Sequence, residues 1–374
     1  MLTWPKPYQP LNQVSLDLDA IRSNLNLFRE KLPSLAVAPV LKSNAYGHGL
    51  KEIAKALKRE GCPFFVVDSI YEAYKIREVD SKTPLLILGY NSESNLRKKK
   101  DFHFTAGSVE QLEMLAHKKL PIHLELNTGM NRMGFHWRNP EIWLKEVAKH
   151  KKHIVGIFTH FADADNPDDN SFTDLQVQRF KFLKQELENR GVHPEWIHAA
   201  NSAGSLKVQD PIFNMMRLGF SLYGINVYEE SDPFYRELEG LKPVMEFQST
   251  LVQIQELEPG DAVSYGLQFK ANKPTRIGIL CAGYYEGIPI ALSNVGHVEV
   301  NGQLCPIRGR VCMNHTLVEL GEVKAKIGDR VTVYSKDPHS PVSVRAQAKK
   351  AKTIPYELLV RISESVRRLS SAAR

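Results

Sequence analysis

Eight short apolar runs alternate with amphipathic stretches between about residues 36 and 224 of the sequence. They lie at 36–41, 64–67, 85–88, 102–105, 122–126, 154–159, 196–200 and 215–219. Helix-like stretches separate them, among others 50–59, 71–78, 109–116 and 175–189. Because crossover helices join parallel strands and cover the sheet, this pattern predicts a TIM-type (β/α)8 barrel. An open doubly wound sheet is the alternative, but it usually carries a G-x-G-x-x-G turn after its first strand, and that turn is missing here.

The hydrophobic periodicity of the sequence changes after about residue 240. Strand-like alternation replaces the helical pattern in runs such as FQSTLVQIQEL, TRIGILCAG and RVTVY. Asn301-Gly302 between two such runs predicts a tight hairpin turn, and a single helix is predicted at Val344–Lys350. We therefore predict an N-terminal barrel domain at 1–238 and a mainly β domain at 239–374. The opening run at 13–18 either pairs with the β domain or leads into the barrel.

The composition narrows the class of protein. The 374 residues are 43% hydrophobic, and the net charge of +7 comes from short, dispersed lysine runs. Grooves that bind nucleic acid interleave basic and aromatic residues, so these runs indicate a solvated surface instead. No apolar segment approaches the roughly 18 residues of a membrane span, and the opening MLTWPKPYQP lacks a secretory pattern. The four cysteines have no C-x-x-C spacing. We therefore expect a cytoplasmic protein without a metal, nucleic-acid or membrane partner.

Polar side chains follow five of the eight predicted strands. They are Lys42 after the first strand, Glu125 and Arg132 on and after the fifth, His160 after the sixth, Asn201 and Ser202 after the seventh, and Arg217 and Gly219 at the eighth. Each of these residues alone is more often a solvated or hydrogen-bonded group than a catalyst. Together they converge on the carboxyl ends of the strands, where barrel enzymes have their active sites.

This set of residues fits one cofactor. Loops after the seventh and eighth strands commonly bind a phosphate in this fold, and Ser202 and Gly219 lie there. The sequence has no phosphate-loop lysine motif, which argues against a nucleoside triphosphate. A phosphate site opposite a lysine suits pyridoxal 5′-phosphate, which a lysine holds through a covalent bond to its aldehyde.

Seven segments resemble the motifs of one enzyme family, the alanine racemases. They are VLKSNAYGHG (40–49), NTGMNRMGF (127–135), THFADAD (159–165), HAANSAG (198–204), NMMRLGFSLYG (214–224), VSYG (263–266) and GRVCMN (309–314). They occur in the family's order over nearly the whole sequence. The resemblance implies a cytoplasmic isomerase that makes D-alanine for peptidoglycan. It also implies a homodimer whose active sites are shared between the subunits.

The resemblance also implies a role for individual residues. Lys42 carries the cofactor and is one catalytic base, and Tyr265 of the partner subunit is the other. The implied cofactor-binding residues are Tyr46, His160, Asn201, Ser202, Arg217, Gly219, Phe220 and Tyr356. Arg132 and the partner's Met313 contact the substrate, while Asp165, Tyr284 and Cys312 line the entrance or support the site.

Two bases explain the expected chemistry. Inversion of an α-carbon removes a proton from one face and adds one to the other, so Lys42 and Tyr265 serve opposite faces. A free tyrosine has a pKa near 10. The family arrangement places His160 beside Tyr265 and Arg217 beside His160, and a hydrogen-bonded series that ends in a cation favours the phenolate. Arg217 opposite the pyridine nitrogen is expected to keep that nitrogen unprotonated and so to suppress side reactions.

Glu125 departs from the family pattern. Family members often carry a carbamylated lysine there, whose negative charge steadies the arginine at the position of Arg132. Glu125 has a carboxylate on a shorter arm, so it pairs with Arg132, or an anion or water fills the gap. Three further departures are Asn314 and Glu286, each of which replaces an aspartate, and Ser365, which stands where the family has an arginine.

Three alternatives remain at this point. One is a racemase of broader specificity that acts on serine, lysine or arginine. Another is a barrel-type decarboxylase, although that family has a glutamate in place of Arg217 and lacks the VSYG base. The third is a cofactor-carrier protein, which would have a single domain and no Tyr265.

Overall fold

The computed structural model describes residues 8–96 and 101–370. These residues form two compact units. The barrel unit comprises Asp19–Ala45 and Ile53–Lys242. The β unit comprises 8–18, Tyr46–Glu52 and 243–370. The segment Tyr46–Glu52 thus belongs to the β unit, although it follows the first barrel strand in sequence.

The strands, in chain order, are β1 Gln13–Leu16, β2 Ala36–Pro39, β3 Phe65–Val67, β4 Leu85–Ile87, β5 Phe102–Ala106, β6 Ile122–Asn127, β7 Phe135–His136, β8 Ile154–Phe158, β9 Trp196–His198, β10 Met215–Leu218, β11 Met245–Leu257, β12 Ala262–Val263, β13 Phe269–Lys270, β14 Thr275–Leu280, β15 His297–Val300, β16 Gln303–Pro306, β17 Thr316–Glu319, β18 Arg330–Tyr334 and β19 Arg367–Ser370. The helices are α1 Leu18–Lys31, α2 Lys42–Tyr46, α3 Leu50–Leu57, α4 Ile70–Arg77, α5 Val109–His117, α6 Glu141–Lys149, α7 Ser171–Glu188, α8 Gly204–Lys207, α9 Val344–Lys350 and α10 Pro355–Val360. Within the described ranges, no helix is both long and apolar enough to cross a membrane.

The barrel unit contains a parallel eight-stranded barrel. Its strands follow the order β2-β3-β4-β5-β6-β8-β9-β10, and β10 returns to β2 with Met215 opposite Ala36. A parallel bridge between Val40 and Val66 joins β2 to β3 and closes the ring. The predicted fold class and all eight predicted strands are confirmed, with ends that differ by one or two residues.

Helix α4 begins at a local capping motif formed by Ser69 and Glu72. The Ser69 side chain accepts a hydrogen bond from the backbone N–H of Glu72, and the Glu72 carboxylate accepts one from the backbone N–H of Ser69. This capping box satisfies two N–H groups that the first helical turn leaves without partners. It also fixes the position of the Glu72 carboxylate at the start of α4.

The β unit is built on the long strand β11. This strand pairs antiparallel with β1, β18 and β14, and β1 also pairs in parallel with β19. The opening run therefore pairs with the β unit. Strands β15 and β16 form the predicted hairpin, with Val300 opposite Gln303. Asn301 and Gly302 have φ values of 48° and 77°, as a type I′ turn requires.

Candidate active site

Lys42 lies just beyond β2 and opens an unusual turn. Four residues in succession, 43–46, have φ values between 52° and 56°, which makes α2 a left-handed turn. The N–H of Ala45 closes this turn on the carbonyl of Leu41 at 2.9 Å. A left-handed residue costs roughly 1–2 kcal/mol when it has a side chain. The half-buried Lys42 is therefore followed by backbone that its surroundings must hold in place.

Arg217 is a buried cation of the barrel unit, with only 4% of its surface exposed. Its guanidinium donates to the carbonyls of Thr159 and Ala199 at 2.9 and 3.0 Å. It also donates to Nδ1 of His198 at 2.7 Å and lies over the ring of Phe158. Groups on and just after β8 and β9 thus fix the plane of the guanidinium, which β10 carries.

His160 lies beside Arg217, with His160 Nδ1 3.3 Å from Arg217 Nη2. Burial lowers the pKa of His160 to about 3, and the positive charges of Arg217, Arg132 and Lys42 act in the same direction. The imidazole is therefore neutral near pH 7. Arginine has no acceptor, so His160 Nδ1 accepts the hydrogen bond and its proton is on Nε2.

Glu125 is a buried carboxyl group among three cations. Burial raises the pKa of Glu125, while the charges of Arg132, Arg217 and Lys42 lower it by less. Across the part of the chain that the structure describes, no hydrogen bond or ion pair joins Glu125 to Arg132. Arg132 is on the exposed loop after β6, so it acts on the buried Glu125 through its charge rather than through a direct contact.

The loops after β9 and β10 meet at the Ser202 hydroxyl. Ser202 Oγ accepts hydrogen bonds from the N–H groups of Gly219 at 3.1 Å and Ser221 at 3.4 Å. With both lone pairs so used, the hydroxyl hydrogen can be donated to a further acceptor. The side-chain carbonyl of Asn201 accepts from the N–H of Gly204 and so holds the start of α8. Phe220 opens the short 3₁₀ turn that follows Gly219.

Two of the expected cofactor-binding residues, Tyr46 and Tyr356, lie together in the β unit. The rings of Tyr46 and Tyr356 have centroids 6.1 Å apart, at an angle of 57°. Gly47 allows the backbone to pass there, because a Cβ on Gly47 would lie 2.0 Å from the carbonyl oxygen of Leu359. Tyr356 is on α10, a helix that the sequence pattern did not indicate.

A second group in the β unit contains the expected second base. Tyr265 is 70% exposed and Met313 55% exposed. Ser264, just before Tyr265, has a φ of 65° and its hydroxyl donates to the carbonyl of Arg310. Cys312 Sγ lies 3.3 Å from Ser264 Oγ, so the two motifs VSYG and GRVCMN meet here.

Asn314 and Glu286, the two residues that stand in place of family aspartates, contact each other. The side-chain amide of Asn314 donates to Glu286 at 2.8 Å, and the other carboxylate oxygen of Glu286 accepts from the N–H of Gly283 at 2.8 Å. The N–H of Tyr284, in the same loop, donates to the carbonyl of Cys312. An amide in place of one carboxylate avoids a like-charge contact.

The structure groups the predicted residues unequally. Electrostatic interactions connect Lys42, Glu125, Arg132, His160 and Arg217 in the barrel unit. Asp165 is exposed, and its charge raises the pKa of Tyr228, although less than burial and Asp232 do. The sequence reading missed Glu72, His103, His123 and the role of His198. Histidines inside otherwise apolar strands were the available signal for three of them.

Comparisons with known proteins cover nearly the whole chain. Residues 16–227 match the family model "Alanine racemase, N-terminal domain", and residues 244–370 match "Alanine racemase, C-terminal domain". The chain is 35% identical to the alanine racemase of Staphylococcus carnosus, over 97% of this chain and 95% of the relative. It is also 35% identical to the alanine racemase of Carboxydothermus hydrogenoformans, over 95% and 98%.

Solved structures give the same result. The alanine racemase of Clostridium difficile 630 matches with a TM-score of 0.88 at 29% identity, over 97% of both chains. The alanine racemase of Bacillus anthracis with bound L-Ala-P matches with a TM-score of 0.88 at 27% identity, over 98% of this chain and 96% of that one.

Proposed function

The chain belongs to the alanine racemase family, the enzymes that interconvert L- and D-alanine, and we propose that it does so with pyridoxal 5′-phosphate and two bases, Lys42 and Tyr265. The observation that carries this proposal is the position of Lys42. It follows a barrel strand and lies within electrostatic range of Glu125 and His160.

The donor set fits a phosphate-bearing cofactor. The Ser202 hydroxyl has its lone pairs engaged by two N–H groups, so its hydrogen is available to an anionic oxygen. We assign the phosphate to Tyr46, Ser202, Gly219, Phe220 and Tyr356, and Asn201 to the remainder of the cofactor site. Lys42 would hold the aldehyde carbon, and Arg217 would face the ring nitrogen. When bound, the cofactor supplies an electron sink for the negative charge at the substrate α-carbon.

Arg217 and His160 determine where protons can be. Arginine remains protonated and offers only donors, so a ring nitrogen opposite Arg217 would stay unprotonated. His160 accepts from Arg217 on Nδ1 and has its proton on Nε2. That N–H can donate to a phenolate oxygen and stabilise it as a base. The side chain of Arg132 would orient the substrate carboxylate.

A second copy of the chain completes the proposed site. Tyr265 and Met313 are exposed in the single chain, whereas a catalytic base works best in a site that excludes water. Tyr284 in the same unit is 42% exposed. We infer a homodimer in which each barrel receives Tyr265 and Met313 from its partner subunit, with Asp165, Tyr284 and Cys312 near the entrance.

The substrate is tested with a panel of amino acids and chiral analysis of the products in deuterium oxide. We expect equal loss of optical rotation from L- and D-alanine, with deuterium at the α-carbon. A preference for serine or basic amino acids would overturn the assignment of alanine. Release of carbon dioxide would indicate a decarboxylase, and absence of any reaction would indicate a carrier.

The shared site is tested by mixing two inactive variants. Lys42→Ala and Tyr265→Ala each lack one base in every site. After dissociation and reassociation in equal amounts, half of the dimers combine both chains and have one intact site, so about a quarter of the wild-type activity should return. A mixture as inactive as its components would overturn the shared site. Two Lys42→Ala preparations, mixed in the same way, provide the control.

The cellular role follows from the product. We propose that the D-alanine serves peptidoglycan synthesis and that the enzyme is cytoplasmic. All four cysteines are free thiols, as is typical of a reducing compartment. Expression in a bacterium that requires D-alanine should remove that requirement, and the Lys42→Ala variant should not.

A further inference from the structure

Three buried or half-buried histidines continue from Arg217 across the barrel. His198 Nδ1 lies 2.7 Å from Arg217 Nη1, His198 Nε2 lies 2.9 Å from His123 Nδ1, and His123 Nε2 lies 3.1 Å from His103 Nδ1. We call His198, His123 and His103 the histidine row. Because β6 and β9 are not neighbours in the barrel, the bond between His123 and His198 crosses its interior.

We propose that the histidine row is a positioning device for Arg217, and that His123 and His103, which follow His198 in the row, are positioning residues of the racemase. The inference rests on the proposed function, because it concerns the cation assigned to the ring nitrogen. It assigns a role to residues far from the reacting atoms.

The direction of every hydrogen bond in the row follows from Arg217. The guanidinium can only donate, so His198 Nδ1 accepts and its proton is on Nε2. That proton is donated to His123 Nδ1, and the proton on His123 Nε2 is donated in turn to His103 Nδ1. Reversal of any ring would place two donors face to face. One arginine therefore fixes the tautomer of all three rings.

The surrounding residues restrict the orientation of two of the rings, those of His123 and His198. A register shift between Ile122 and His123 places His123 opposite Gly156. A Cβ on Gly156 would lie 2.2 Å from His123 Nδ1, so only glycine admits the ring. His198 stacks on Phe158 at 4.8 Å with an angle of 8°, and the Arg217 guanidinium lies over the same phenyl ring.

The histidine row adds no negative charge beside Arg217. Burial lowers the pKa of His198 and His123 well below the usual value, and it lowers the pKa of His103 to about 4. A carboxylate in the place of His198 would cancel the positive charge and could take a proton. A neutral, tautomerically fixed imidazole orients the guanidinium while its full charge still faces the site.

The hydrogen-bond directions are tested by nitrogen-15 NMR of histidines in the cofactor-free protein at neutral pH. We expect three neutral rings with the proton on Nε2 for His198, His123 and His103. A proton on Nδ1 of His198 or His123 would overturn the proposal. This measurement needs no variant and no activity, so its outcome is independent of the proposed function.

The consequence for the reaction is tested with variants of His123. His123→Phe should lower kcat about 10- to 100-fold, as loss of a supporting contact around a site typically does, while KM for alanine changes little. His123→Gln has one acceptor and one donor and should recover part of kcat. His117→Phe, at an exposed histidine on α5, is the control and should match the wild type.

Unfolding curves identify a His123→Phe protein that fails to fold. In that case Gly156→Ala is used instead, because it displaces the His123 ring without removing it. This variant should also lower kcat and alter the NMR signals of His198. Unchanged kcat in folded His123→Phe would overturn the positioning role. If the wild type itself were inactive on alanine, the proposed function would fail instead, whatever the NMR result.

Discussion

The backbone N–H of Ser43 donates a hydrogen bond of 2.6 Å to the carboxylate of Glu72. Ser43 follows Lys42 directly and begins the left-handed turn 43–46. The other carboxylate oxygen of Glu72 caps the start of α4. A single side chain of the second βα unit therefore holds the strained backbone next to Lys42, the proposed cofactor lysine.

Glu72→Gln should loosen this turn. The amide retains one acceptor oxygen for two sets of N–H donors, so either the cap of α4 or the bond to Ser43 is lost. We expect the free energy of unfolding to fall by about 1–2 kcal/mol and kcat to fall with it. Urea unfolding and racemisation rates measure the two effects. Glu78→Gln, at the other end of α4, is the matched control, and an equal effect there would contradict the role of Glu72.

Glu125 should be replaceable by a small anion. Glu125→Ala leaves Lys42, Arg132 and Arg217 without the carboxylate near them, so we expect about a tenfold loss of activity at low chloride. Added chloride should restore part of it by occupying the gap, whereas a bulky anion at equal ionic strength should not. Racemisation rates across a chloride series measure this.

Two comparisons complete the Glu125 experiment. Glu113→Ala removes an exposed carboxylate from α5 and should leave both activity and chloride response unchanged. Glu125→Gln mimics the protonated form that the raised pKa favours, and it should behave as the wild type does at acid pH. Full activity of Glu125→Ala without any anion would make this carboxylate dispensable.

Periodicity sufficed to predict the barrel because each strand and helix carries its own signal. The run 154–159 became β8 at Ile154–Phe158, and Val344–Lys350 became α9. The grouping of Lys42 and Arg217 could be predicted because the carboxyl ends of barrel strands meet at one end of the barrel. The left-handed turn after Lys42 could not be predicted, since local sterics disfavour that conformation for residues with side chains. It exists because distant groups such as Glu72 stabilise it.

The histidine row could not be predicted from the sequence for a different reason. A histidine in a strand pattern indicates a satisfied polar residue, and nothing in the sequence says which strands it bridges. The contact of His123 with His198 depends on the register shift opposite Gly156. Register between strands that are distant in sequence is a property of the assembled barrel.

Acidification should destabilise the folded protein well above the pKa of its carboxylates. The pKa of His103 is lowered to about 4 and that of His160 to about 3, whereas an unfolded histidine titrates near 6.5. Between these values the unfolded chain binds more protons, so stability is complete above pH 6.5 and is lost as the pH falls. Each such histidine contributes a slope of about 1.4 kcal/mol per pH unit.

Urea unfolding of the cofactor-free protein between pH 7.5 and 4.5 measures this slope. Burial raises the pKa of Glu125, which acts in the opposite direction, so the histidine contribution is isolated by comparing variants. His103→Phe should have a shallower slope than the wild type, and the exposed His117→Gln should not. Identical slopes in all three proteins would contradict a neutral, buried His103.

Asn314 and Glu286 should prove to be coupled. Glu286 is 8% exposed, and its carboxylate accepts from both Asn314 and the N–H of Gly283. Asn314→Asp replaces a donor by a second carboxylate at the same place, so we expect a loss of about 1–3 kcal/mol in the free energy of unfolding. Glu286→Gln in that background should restore most of it, because the amide then donates to the new aspartate. A double-mutant cycle on urea unfolding measures the coupling, and strictly additive effects would show that the two departures from the family pattern are independent.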